Sequence, residues 1–480
     1  MSQELCRQLL YVAPETLLLG LACVLLVVDT ISNDRERRVT YWFAQFSLLA
    51  VVALVLYLFP HEAARVWNGH FISDPMSAVL KAVIGIITIM VFFYSHEYWR
   101  EHGPMRGEYF VLGLFAVLGM MVMASAYSLL TVYLGLELLS LSLYSIVAMH
   151  RDSTTASEAA MKYFVLGALA SGMLLYGISI LYGVTGAIDL GSLSTAVAEQ
   201  TGARLPIVFG LVFIIVGVAF KLGAVPFHMW IPDVYEGSPT AVTMFVGSAP
   251  KIAAFAMAIR LLVDGLGPMH VDWQGMLVIL SVLSMGAGNI IAISQSNIKR
   301  MLAYSTIAHI GFLLLGIIAG TDAGYAGSMF YVIVYAVMST AAFGMVIIMG
   351  RKGYEGDRLD DFKGLAKRSP WFAFIMLIVM FSMAGVPPFI GFWAKWFVIK
   401  EVVAAGYLWL AALAVIFSVI GAYYYLRIVK LMYFDAPENM IALKASQRMR
   451  WVLSANGLAV LLLGLLPGAL MLVCLRAMSL

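Results

Sequence analysis

The chain has 480 residues, 62% of them hydrophobic and only 12% charged, with a mean hydropathy of +0.92. That charged share is about half the usual one for a soluble domain, and apolar runs of roughly 20 residues recur along the chain, which excludes a soluble domain carrying one anchor and indicates an all-α integral membrane protein. The formal net charge of +3 gives no reason to invoke nucleic acid as a partner.

The first apolar run, Leu9 to Val28, has no A-x-A cleavage signal before Asp29 and is long enough to span, so it reads as a retained helix. In order, the expected spans are 9–28, 40–59, 76–94, 108–125, 127–149, 157–183, 205–235, 240–263, 273–294, 301–320, 325–349, 370–400, 407–434 and 451–475, roughly 14 transmembrane helices. The polar stretches 184–204 and 435–450 read as surface connections. Arg35, Arg37, Arg38, Arg100, Arg106, Arg151, Lys299, Arg300, Arg351, Lys352, Arg358, Lys363, Lys367, Arg368, Lys444, Arg448 and Arg450 fall in alternate connections. The positive-inside rule makes that side cytoplasmic and puts both termini on the outer, periplasmic side of the cell inner membrane. The opposite connections are sparse in charge, with Arg65, Arg204 and Lys400 among their few.

Two spans are interrupted. Gly223, Pro226 and Phe227 break the one at 205–235; Gly385, Pro387, Pro388, Phe389 and Gly391 break the one at 370–400. Proline has no N–H and its ring opposes a continuous helix, so Pro226 should leave the Leu222 carbonyl unpaired beside Lys221. The breaks lie five spans apart, an odd number. Units covering 108–264 and 273–435 would therefore enter the membrane from opposite sides as two inverted five-helix repeats, each with a broken helix. Residues 1–107 would add N-terminal helices and 451–480 a C-terminal one.

Ionisable residues inside these spans are the functional candidates, because a lysine near a bilayer centre costs roughly 2.5–3.5 kcal/mol even on insertion scales. Glu137 sits mid-span with Ser140 and Tyr144 on the same helical face; it is a functional acid, one half of a structural ion pair or a protonated core acid. Lys221 lies at the first break, where it either exchanges protons or steadies freed carbonyls. Lys251 follows Pro250, which deprives the Val246 carbonyl of its donor; the competing reading is snorkelling, which also applies to Lys395 beside Trp393 and Trp396. His228 and His309 are relay candidates near neutral pH or hydrogen-bonded core groups. Glu158 and Lys162 have the i, i+4 spacing of a helix-surface pair. Lys81, Arg260 and Arg427 lie near span ends and read as snorkelling. Asp233 and Glu236 fall where the first broken helix meets the cytoplasm, as proton collectors or helix caps. Cys6, Cys23 and Cys474 show no metal-ligand or C-x-x-C spacing, and no G-x-G-x-x-G fingerprint occurs, so any redox centres would belong to other chains.

The stretches LGLELLSLSLYSIVA around Glu137, AAMKYFVLGALASG around Lys162, FKLGAVPFHMWIPDVYEGSPT around Lys221 and GVPPFIGFWAKW around Lys395 resemble the antiporter-like membrane subunits of respiratory complex I. That family is related to the Mrp-type multisubunit sodium/proton antiporters, and the resemblance covers nearly the whole chain. The chain departs from the two larger subunits, which carry tryptophan where Leu136 stands, and it has no room after Leu475 for the long lateral helix of the largest. The resemblance implies a coupling pair of Glu137 and Lys221, a bridge at Lys251, an exit group at Lys395, and a place for Lys162 on the proton path. It also implies a proton-translocating subunit without cofactors of its own. NADH, FMN, iron–sulfur clusters and quinone would then be handled by partner subunits of the membrane and peripheral arms. The alternatives are a subunit of an Mrp-type cation/proton antiporter, distinguished by lack of co-purifying flavin and iron–sulfur subunits, and a structural scaffold whose buried charges only hold helices together.

Overall fold

The computed structural model describes residues 3–32, 34, 36–103, 105–150, 152–199, 204–351, 353–437, 443 and 445–479. Four of the basic loop residues, Arg35, Arg151, Lys352 and Lys444, lie outside them. The chain opens with α1 (Gln3–Tyr11), α2 (Ala13–Ile31) and α3 (Arg38–Tyr57), then a hairpin of β1 (Ala64–Val66) and antiparallel β2 (Phe71–Ser73). There follow α4 (Pro75–His102), α5 (Gly107–Ser125), α6 (Leu129–Val147), α7 (Thr154–Thr185), the short α8 (Leu190–Glu199), α9 (Arg204–Leu222) and α10 (Trp230–Gly237). The next transmembrane stretch comprises α11 (Thr240–Val246), α12 (Ala249–Ala258) and a π-helical turn over Ile259–Gly265. The remainder is α13 (His270–Ile293), α14 (Ile298–Ala319), α15 (Asp322–Met349), α16 (Leu365–Arg368), α17 (Pro370–Ala384), α18 (Ile390–Ala404), α19 (Leu408–Tyr433), α20 (Gln447–Leu465) and α21 (Pro467–Met478).

Among the described residues, 13 helical stretches have the length and hydropathy to cross a membrane. The expected span over 370–400 joins them as two 15-residue halves, α17 and α18. These apolar stretches begin at side chains that hold their first free N–H groups. Asp74 and Ser77 form a reciprocal capping box on α4, and Ser128, Ser153, Asn297 and Thr321 cap α6, α7, α14 and α15. The α14 and α15 spans are the most enclosed apart from that formed by Thr240–Gly265, whereas α7 and α19 leave most of their side chains at the periphery. Close helix contact at the centre is backbone against backbone: a Cβ on Gly288 would lie 2.6 Å from the Ala308 nitrogen.

Connections sort onto two sides. On one, Phe71 bridges Ala126 and Ser128 bridges Asp189; on the other, Asn297 bridges Arg358. The 184–204 stretch is not only a surface connection, because α8 forms inside it and buries Leu190 and Leu193 completely.

Two cations expected to snorkel do the opposite. Lys81 is buried with its ammonium 2.5 Å from Glu15 Oε1. Arg260 is 1% exposed; it holds both Asp74 carboxylate oxygens at 2.7 and 2.8 Å and Asp264 at 2.8 Å, and also donates to the Ala124 carbonyl. Partner carboxylates supplied by distant segments remove the need to reach headgroups. Arg427, half-buried, donates to the Ile293 and Gln295 carbonyls at the end of α13.

Candidate functional site

The first broken span ends α9 at Leu222 because Gly223 takes φ +90°, a left-handed turn that ends helices. A side chain there would be excluded twice over, by backbone conformation and by Ile231, which would lie 2.0 Å from a Cβ. The Gly223 and Ala224 N–H groups both close on the Ala219 carbonyl. Three further main-chain groups around the break are taken by side chains. Trp230 Nε1 donates to the Phe220 carbonyl at 3.1 Å, Ser284 Oγ accepts from the Val225 N–H at 2.9 Å, and Lys251 Nζ donates to the Leu222 carbonyl at 2.9 Å. The unpaired acceptor expected beside Lys221 is present in the backbone, but Lys251 fills it. The same ammonium lies 5.0 Å from the Trp230 ring centroid, a cation–π contact.

Lys221, in the last turn of α9, donates instead to Ser140 Oγ at 2.9 Å. Ser140 Oγ in turn donates a hydrogen bond to the Leu136 carbonyl, 2.6 Å away. Glu137, one turn from Ser140, is half-buried, and its Oε1 is enclosed without a hydrogen-bond partner. The two residues expected to pair are thus neighbours through Ser140 and do not form an ion pair in this state.

The second break repeats the arrangement. Gly385 takes φ +88°, and Lys395 Nζ donates to the Ala384 carbonyl at 2.9 Å and to Ser418 Oγ at 2.8 Å, over the ring of Phe312. Ser382 Oγ accepts from the Gly391 N–H at 3.0 Å. At both breaks the carbonyl immediately before the glycine accepts from a lysine. Lys395 is buried here and does not snorkel, although Trp396 beside it is half exposed.

Between the breaks, on α14, His309 is buried among hydroxyls: Nδ1 is 2.7 Å from Tyr331 Oη and Nε2 3.1 Å from Tyr425 Oη. Tyr425 Oη also meets Ser305 Oγ at 2.5 Å, and Tyr335 Oη meets Thr306 Oγ1 at 2.7 Å. His228 lies in the first break with Nδ1 buried and without a partner. Lys162 does not join this interior group. It is 43% exposed and pairs with Glu158 at 2.8 Å, as its spacing suggested, and with Asp233 at 2.7 Å; Arg300 extends the chain to Asp233 and Glu236. Asp233 and Glu236 therefore sit in a peripheral ion network. Lys299, which counted only as a loop charge, is 2% exposed and donates to the Ser238 carbonyl at 2.9 Å. Sequence reasoning also missed Trp230, Ser284, Ser418 and the tyrosines; the run Tyr423–Tyr424–Tyr425 inside an apolar span was the available signal. Among the described residues, no group of three or more His, Cys, Asp or Glu is placed to hold a metal ion.

A membrane protein with two broken helices, each closed by a buried lysine, defines the antiporter-like class, and comparison with known proteins agrees. Residues 126–421 match the family model described as NADH:quinone oxidoreductase/Mrp antiporter, TM. The chain is 57% identical over 469 residues to the NADH-quinone oxidoreductase subunit N of Thioalkalivibrio sulfidiphilus, covering 98% of each chain, and 56% identical over 466 residues to that of Thiobacillus denitrificans, covering 97% of this chain and 96% of the relative. A chain of respiratory complex I from Thermus thermophilus superposes with TM-score 0.83 at 29% identity, over 97% of this chain and 100% of that one. A chain of the Mrp complex from Dietzia superposes with TM-score 0.86 at 21% identity, over 100% of this chain and 97% of that one, which shows a shared fold. The chain belongs to the NADH-quinone oxidoreductase subunit N family.

Proposed function

We propose that this chain carries protons across the membrane as a subunit of a respiratory NADH:quinone oxidoreductase, driven by electron transfer in partner subunits. One observation carries the reading. The structural cations Lys81 and Arg260 are buried against carboxylates, whereas Lys221, Lys251 and Lys395 are equally buried but hydrogen-bond only to hydroxyls and main-chain carbonyls. A lysine held by neutral acceptors can release its proton without stranding a partner carboxylate, so its proton is exchangeable where that of an ion pair is fixed.

In this reading Glu137 is the mobile charge. Moving a carboxylate towards Lys221 strengthens its hold on a proton, and withdrawing it weakens that hold. Redox change in the partner subunits drives that movement; the released proton passes through Lys251 and the His309 hydroxyl cage to Lys395. His228, at the first break, and Lys162, in the peripheral ion network, serve the uptake side. The paired lysine–carbonyl closures favour two inverted repeats over 108–264 and 273–435, flanked by 1–107 and 451–480. The segregation of basic connections supports a multi-pass protein of the cell inner membrane with both termini outside. NADH, FMN, iron–sulfur clusters and quinone belong to the partner subunits. The test is protons translocated per NADH oxidised in inverted membrane vesicles, comparing Lys221→Met with wild type at matched complex levels. A lower ratio is expected; an unchanged one with normal assembly makes the central lysine structural.

A further inference from the structure

The connection between α15 and α17 folds back over the helix ends on the side where the basic residues gather. Gly356 makes the fold possible: it takes φ +66°, and a Cβ there would lie 2.6 Å from the Met349 carbonyl group. This turn presents the half-buried Glu355 to two helices at once. Tyr98 of α4 donates to Oε1 at 2.5 Å, and Thr240 of α11 donates to Oε2 at 2.8 Å.

Two residues before Thr240, the Ser238 carbonyl accepts from the buried Lys299 ammonium. One short segment, Ser238–Thr240, therefore brings Glu355 and Lys299 together. The carboxylates nearest Lys299 are Asp357, Glu355 and Glu236. Asp357 lies 3.8 Å away and accepts from Asn297, and Glu236 is held by Arg300. Glu355 alone of the three is bonded through hydroxyls. Tyr98 also lines a cavity of about 460 Å³, together with Arg100, His102, Tyr354, Asp361 and Lys363. His102 stacks on Tyr98 at 4.3 Å between centroids. A cavity of this size and polarity accommodates water.

We propose that Glu355 is the threshold carboxylate through which protons pass from this cavity to Lys299. This rests on the reading that the chain moves protons. A hydrated proton entering the cavity from the aqueous side passes to Tyr98 Oη as the phenol gives its own to Glu355, leaving neutral water and an intact phenol behind. The carboxyl then passes the proton through one water to the neutral Lys299 amine, which restores the carboxylate. Groups within hydrogen-bond reach, or joined by one water, suffice for such transfers. The competing role for Glu355 is mechanical: pinning the 350–364 connection across α4 and α11.

Glu355→Gln separates the two, because the amide oxygen still accepts from Thr240 or Tyr98 but the group cannot take up and release a proton. In inverted vesicles at matched complex levels, Glu355→Gln should remove at least about half of the protons per NADH that Lys221→Met removes, and Glu355→Asp should restore them. A wild-type ratio in Glu355→Gln, with a lowered one in Lys221→Met, overturns the threshold role and leaves the transport reading intact. Wild-type ratios in both overturn the transport reading itself. Should Glu355→Gln fail to assemble, Tyr98→Phe removes only the donating hydroxyl. A lowered ratio there supports the relay, and an unchanged one overturns it.

Discussion

The Lys251 ammonium occupies the main-chain carbonyl of Leu222, 29 residues earlier, at 2.9 Å. The proline that interrupts the first broken helix thus creates an acceptor, and a lysine from the following span fills it. At the second break Lys395, on the second half of the same broken span, fills the Ala384 carbonyl. In each case the lysine links the state of a helix end to its own charge: a neutral amine still donates, but more weakly than an ammonium.

Replacing Lys251 with methionine should therefore affect two observables. The buried carbonyl loses its donor, a cost of about 1–3 kcal/mol, and the proposed proton path loses its bridge. The expected outcome is a lower thermal midpoint for the assembled complex and fewer protons per NADH. A normal ratio with only the thermal loss would reduce Lys251 to a helix-end prop.

Ser140 stands between the residues expected to pair, accepting from Lys221 at 2.9 Å. A hydrogen bond to a charged group contributes about 1.5–3 kcal/mol, so Ser140→Ala should disturb Lys221 strongly while removing a single oxygen. Proton translocation should fall about tenfold or more in rate, and Ser140→Thr should retain most of it. Equal rates for alanine and serine would mean that Lys221 does not depend on this hydroxyl.

Much of this arrangement was legible in the sequence because breaks and charges are local features. Gly223 with Pro226 and Gly385 with Pro387 mark helix ends by backbone sterics alone, and the spans follow from run length. Partners were not legible. Whether a lysine meets a carboxylate or a carbonyl depends on which helix lies opposite, and that separates Lys81, held by Glu15, from Lys395, held by Ala384. Lys299 was missed for the same reason: it stands two residues after the Asn297 cap, so its place at a span start concealed its burial.

His309 is enclosed by phenols, and Tyr425 is the one that touches both its Nε2 and Ser305. Tyr425→Phe deletes that link without changing the ring. Protons per NADH should drop, whereas Tyr423→Phe, at the exposed member of the same tyrosine run, should leave them unchanged. The two variants measured side by side in vesicles check whether the effect belongs to the path or to packing of the tyrosine run.

Arg260 supplies the contrasting case. Its guanidinium satisfies Asp74, Asp264 and the Ala124 carbonyl together, and Asp74 is also the cap of α4. Removing one partner of a buried pair typically costs about 3–5 kcal/mol because the other charge is left uncompensated. Arg260→Met should accordingly lower the amount of assembled complex in membranes, and Arg260→Lys should recover only part of it, since an ammonium lacks the planar fork. Complex that does assemble should translocate the wild-type number of protons per NADH. The distinction drawn here between cations held by carboxylates and cations held by neutral acceptors depends on that result. A reduced ratio at normal abundance would place Arg260 among the residues that move protons and would remove burial against a carboxylate as a sign of structural duty.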